Sequence, residues 1–91
     1  MAKYISDRVD LDLILVKPVE DLRVERISLE ELKYGIRNGV ESHVRCEECA
    51  KKISELLGVE LSVNENPYKL NKEDTLYVVS GENYYRLKYI Y

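Results

Sequence analysis

Tryptophan and phenylalanine are absent from this 91-residue chain, methionine and histidine occur once each, and cysteine and proline twice each. Eight tyrosines therefore make up the whole ring complement apart from one imidazole, and many of them should be half-buried with the hydroxyl at solvent or a partner. No apolar run approaches the ~20 residues that a membrane span requires, and "MAKYISDRVD" at the start has no signal-like apolar stretch. A cytoplasmic protein without a membrane partner is expected. An excess of positive charge is lacking too: 17 acids face 14 bases, a net charge of −3. Coating duplex nucleic acid needs a basic stripe that releases counterions, so no such partner is expected.

What is present reads as globular, with 45% apolar and 34% charged residues and no repeat or low-complexity tract. The length fits a single domain, residues 1–91, with a core small enough that oligomerisation would help it. Abundant Lys and Glu with short connections fit a hot environment.

Along the chain, "KYIS" (3–6) and "LRVERI" (22–27) read as strands, while "VDLDLILV" (9–16) reads equally as a strand or an ordered loop. Ser28 followed by Glu31 is a capping box, Leu29, Leu32 and Ile36 recur at helical spacing, and Gly39 supplies a left-handed stop. "VESHV" (40–44) is a short strand or crossing segment. A second helix runs to Leu57, with Cys46, Cys49, Ala50, Ile53, Leu56 and Leu57 on one face and Gly58 closing it. "VELSV" (59–63) alternates like a strand, and turns follow at "NENP" and "NKED". "TLYVVS" and "YYRLKYIY" form a hairpin across the three residues "GEN". In the last strand Tyr85, Leu87, Tyr89 and Tyr91 share a face opposite Tyr84, Arg86, Lys88 and Ile90. The expected fold is α/β: a small mixed sheet of about five strands with two main helices packed on it.

The segment "ESHVRCEEC" (41–49) holds the histidine and both cysteines. His43, Cys46 and Cys49, spaced by three, could face one side of a continuous helix. A structural zinc takes four ligands, however, and no second pair of Cys or His exists, so no metal is expected. Cys-x-x-Cys at a helix start is the redox arrangement in which the helix dipole favours the first thiolate. Here Glu47 and Glu48 oppose a thiolate, and Cys49 reads better as a small apolar residue on the buried face. Packing outweighs chemistry only narrowly for Cys46. A Cys46–His43 dyad is the remaining catalytic candidate, with His43 arriving from the preceding strand.

The succession "ERISLEELKYGIRNGVESH…SELLGVELSVN…YKLNKEDTLYVV", over residues 22 to 79, resembles the viral ring nuclease family, small proteins of archaeal viruses and prophages that counter type III CRISPR immunity. The resemblance implies a homodimer whose subunits form a pocket for cyclic tetra-adenylate. Each subunit would supply a histidine at the start of the second helix as general acid, with no cofactor. Helix N-termini and Arg and Asn side chains would hold the phosphates.

Residue by residue, the family's histidine falls on Cys46 rather than His43, and its arginine after the Val-Asn turn falls on Glu65. Neutral positions of its N-terminal loop fall on Asp7, Asp10 and Asp12, while Ser42 and Asn64 keep nucleotide-binding positions. The family's C-terminal insertion is missing. A pocket for four phosphates would thus have gained carboxylates and lost its imidazole, and like charges in a partly dehydrated site cost on the order of kcal/mol each.

Three functions compete. One is a divergent ring nuclease using His43 or Cys46, and the second is sequestration of a cyclic oligoadenylate without chemistry. The third, ranked first, is a viral accessory protein that binds a host protein through its acidic surface and Tyr-rich last strand. Residues 84 to 91 could also add an edge strand to a partner.

Overall fold

Apolar character runs unbroken through Leu76, Tyr77, Val78 and Val79, all at most 6% exposed, because their strand is covered on both faces. The computed structural model describes residues 3–8, 22–66, 70 and 73–89. In chain order these give β1 (Lys3–Ser6), β2 (Leu22–Ile27), α1 (Leu29–Ile36), β3 (Glu41–Ser42), α2 (Glu47–Leu57), β4 (Thr75–Ser80) and β5 (Asn83–Tyr89). The strands form one five-stranded mixed sheet in the order β2-β5-β4-β1-β3, with β4 at its centre. β1 pairs in parallel with β3 and β4, while β5 pairs antiparallel with β4 and β2. The expected α/β architecture is observed.

Side-chain alternation assigns two cores. Ile5, Tyr77, Val79 and Ile27 face the helices and pack with Leu32 and Ile36 of α1 and Ala50 and Ile53 of α2. Burying each of the Val, Leu and Ile side chains among these stabilises the fold by roughly 1.5–3 kcal/mol. Leu76, Val78, Leu87 and Tyr89 occupy the opposite face with Leu70, flanked by Tyr4 and Leu22.

Both helices end as their sequences dictate. The Ser28 side chain accepts the Glu31 backbone N–H at 3.2 Å, and Gly39, at φ 110°, donates to the Ile36 carbonyl at 2.9 Å. α2 is capped by Cys46 and closed by Gly58 at φ 70°. Lys3 Nζ, on β1, donates to the Gly35 carbonyl at 2.7 Å, where a cation complements the negative end of α1.

Four expectations change. Leu56 is 36% exposed rather than part of the buried face, because Ala50 and Ile53 carry the contact with the sheet and Leu57 supplements it. Residues 59–63 contribute only a single parallel bridge, Val44 to Val63, rather than a strand. Side chains replace the ladder: Ser54 Oγ accepts from Leu61 N–H at 3.0 Å, and Ser42 Oγ donates to the Ser62 carbonyl at 2.6 Å. The hairpin loop is Gly81–Glu82, since Ser80 and Asn83 already pair. Gly81 at φ 61°, followed by a residue of negative φ, is the II′ geometry whose twist suits a two-residue loop. Finally, β5 lies between β4 and β2 and offers no edge to a partner; the edges are β3, only two residues long, and β2, guarded by Arg23, Glu25 and Arg26. The segment 9–16, with Asp10 and Asp12, lies outside the described residues. Among the described residues no helix is long and apolar enough to cross a membrane.

Candidate functional site

Parallel β1 and β3 run side by side and release the chain at the same end of the sheet, which is where open α/β sheets collect ligands. β1 delivers Asp7 and Arg8 there, and β3 delivers Arg45 and then Cys46 at the start of α2. Asp7 ties the two exits together: its Oδ1 accepts the Arg45 backbone N–H and its Oδ2 accepts from Arg8, each at 3.1 Å. Burial of its side chain, 7% exposed, acts to raise the carboxyl pKa. The bonds from Arg8 and Arg45 outweigh that and hold it below the usual carboxylate value.

The cysteines adjoin this carboxylate. Both are free thiols, and Cys46 Sγ caps α2 by accepting the Cys49 backbone N–H at 3.3 Å. A hydrogen bond from the Cys49 thiol, aided by backbone N–H groups, lowers the pKa of Cys46. The same bond, with burial and the nearby Asp7, pushes Cys49 up to about 11. Cys49 and Asp7 line a small cleft of about 260 Å³ with Lys52, Ile53, Val79 and Ser80.

A second, wider groove of about 1260 Å³ runs along the outer side of α2 against residues 60–65. Its charged lining is Glu47, Glu48, Glu55, Glu60 and Glu65 against Arg45 and Lys51. Glu47 and Glu48 sit in the first helical turn, where they answer the positive end of the helix dipole that an anion would otherwise use.

His43 goes elsewhere. It is 4% exposed, its ring meets Tyr4 edge-on at 5.4 Å, and it belongs to the sheet face opposite the helices. Nε2 lies 2.6 Å from Glu41 Oε2 and Nδ1 lies 3.2 Å from the Asn66 carbonyl, so both ring nitrogens are engaged away from Cys46. Ser42 and Asn64 are likewise engaged within the chain. Besides the Ser42–Ser62 bond, Asn64 Nδ2 donates to the Ser42 carbonyl at 3.0 Å and Oδ1 accepts from the Asn66 backbone N–H at 3.0 Å. Asn64 N–H donates to the Val44 carbonyl at 2.9 Å.

Of the residues singled out in the sequence, Asp7, Cys46 and Cys49 come together, Glu65 lies in the acidic groove, and Ser42, His43 and Asn64 brace β3. Asp10 lies outside the described residues. Sequence reasoning missed Arg8 and Lys52 beside the thiols, although a cation next to Asp7 in the chain was visible. Among the described residues no cluster of His, Cys, Asp and Glu is arranged to hold a metal ion.

No protein-family model matches the chain, and no curated protein does. Among solved structures, B116 of Sulfolobus turreted icosahedral virus shares the fold, with a TM-score of 0.79 over 98% of this chain and 100% of that one at 10% identity.

Proposed function

We propose that this chain is a small viral accessory protein, acting in the cytoplasm of the host cell, that docks a basic surface of a protein partner in the acidic groove along α2 and cleaves no nucleotide. The observation that carries the reading is the groove's lining of five glutamates against one arginine and one lysine. A phosphate brought to about 4 Å from one carboxylate meets a repulsion of roughly 1 kcal/mol in water and about 4 kcal/mol near a protein surface. A cationic side chain gains the same interaction with opposite sign, so the groove selects against a polyanion and for a polycation. The viral setting is supported by the fold shared with a Sulfolobus virus protein. The absence of chemistry is supported by the engagement of His43 with Glu41 and Asn66 and by a thiol at the helix start in place of an imidazole.

A homodimer, as the resemblance to ring nucleases implies, accompanies this reading, and light scattering measures it. The test of function is a titration followed by amide NMR, with an oligolysine peptide and with cyclic tetra-adenylate. Oligolysine should shift the resonances of Lys51, Ser62 and Val63, weaken with salt, and lose its effect when Glu47 and Glu60 are both changed to Lys. Cyclic tetra-adenylate should shift nothing and yield no linear product. Tight binding or cleavage of that ring would overturn the reading in favour of a cyclic oligoadenylate antagonist of type III CRISPR signalling.

A further inference from the structure

Three groups meet where β1 and β3 release the chain, and the groove reading uses none of them: the Cys46 thiol, the Cys49 thiol and the Asp7 carboxylate. Cys46 sits outside both cores, at the cap of α2. Cys49 touches the helix-side core but also lines the small cleft with Asp7 and Lys52. The Cys49 backbone N–H donates to Cys46 Sγ at 3.3 Å, which sets the two cysteines side by side, and Asp7 shares the lining of the cleft with Cys49.

We propose that Cys46 and Cys49 form a reversible dithiol–disulfide centre in which Cys46 attacks and Cys49 resolves. The division of labour follows from the helix start. Cys46 Sγ receives the Cys49 backbone N–H at 3.3 Å at the positive end of an eleven-residue helix, so its thiolate is the stabilised one. Cys49 is the thiol that keeps its proton, because Cys46, burial and the Asp7 charge all raise its pKa.

The co-reactant is a small aliphatic disulfide. The Cys46 thiolate attacks one of its sulfurs, the S–S bond breaks, and one small thiolate leaves, giving a mixed disulfide on Cys46. Cys46 Sγ is then no longer a thiolate and no longer holds the Cys49 proton. As Cys49 passes that proton to water, its sulfur attacks Cys46 Sγ and expels the second small thiolate. Two protein thiols are oxidised and one small disulfide is reduced to two thiols. Residues three apart at a helix start have Cβ atoms about 5–6 Å apart, so a modest closure reaches disulfide distance.

The test uses the full chain, reduced and then exposed to glutathione disulfide, with intact mass followed over time. The wild type should lose two hydrogens and retain no glutathione at the end point. Cys49→Ser should stop with one glutathione on Cys46, and Cys46→Ser should react at least tenfold more slowly than Cys49→Ser. Asp7→Asn, which removes a negative charge that raises the Cys49 pKa, should resolve the mixed disulfide at least as fast as the wild type. Circular dichroism of each variant reports its fold. Lasting glutathione on the wild type, indifference of both thiols, or equal reactivity of Cys46 and Cys49 overturns the proposal, whatever the groove binds.

Discussion

His43 Nε2 and Glu41 Oε2 lie 2.6 Å apart on the sheet face away from the helices, while His43 Nδ1 faces the Asn66 carbonyl at 3.2 Å. Both partners are acceptors, so a ring carrying one proton can donate to only one of them. The histidine therefore reads as a brace, pinning the turn at Asn66 to β3. Replacing it removes a buried ring and up to two hydrogen bonds, each worth about 0.5–1.5 kcal/mol net. His43→Ala should cost about 2 kcal/mol, lowering the melting temperature by roughly 8–16 °C in a domain of this size. It should leave the pH dependence of Cys46 alkylation unchanged. A melting temperature equal to the wild type would remove the brace from the account.

Gly35 sits in α1 with Tyr77 directly beneath it. A Cβ at this position would come within 2.6 Å of Tyr77 Cζ and 3.1 Å of Cε1, and Tyr77 is only 5% exposed with little room to yield. Alanine would ordinarily favour a helix over glycine by about 1 kcal/mol. Overpacking costs about 1–3 kcal/mol and should win, so Gly35→Ala lowers the melting temperature. Adding Tyr77→Leu should recover part of the loss, as a double-mutant cycle would read directly. A stabilised Gly35→Ala would mean that the ring shifts freely.

The sequence writes its helices openly and its long-range pairing hardly at all. Ser28, Glu31, Gly39 and Gly58 announce the limits of α1 and α2 because capping is chemistry between residues a few places apart. The status of residues 59–63 depends on Ser42 and Ser54, which reach across the fold to satisfy backbone groups that an alternating pattern would assign to a ladder. The interior place of β5 depends on Leu22–Ile27 pairing with it from the far end of the chain. The site divides in the same way. Cys46 and Cys49 are legible as a spaced pair, whereas Asp7 joins them only because β1 and β3 are parallel neighbours.

Cys46 is a weak cap by the chemistry of its acceptor. Sulfur accepts hydrogen bonds poorly, and a hydroxyl at the same place is a preferred N-cap. Cys46→Ser should raise the melting temperature by a few degrees, and Cys46→Val, which removes the acceptor, should lower it. A fall with serine as large as that with valine would show that the Cys46 side chain contributes packing rather than capping.

The Asp7 carboxylate couples stability to acid. Burial favours its neutral form, but Arg8 and the Arg45 backbone N–H favour the charged form more, and the folded pKa lies below the ordinary 3.8. A carboxyl whose folded value is depressed contributes stability that is complete above its unfolded pKa and lost as pH falls through the folded one. Denaturation measured from pH 7 down to pH 2 should therefore show Asp7→Asn less stable than the wild type near neutrality. The gap should narrow below about pH 3.8, where the wild type begins to take up the proton that the amide never needed. Both proteins keep an oxygen that can accept from Arg45, so the narrowing isolates the charge from the backbone bond. A gap that stays constant to pH 2 would place the stabilisation in shape rather than charge.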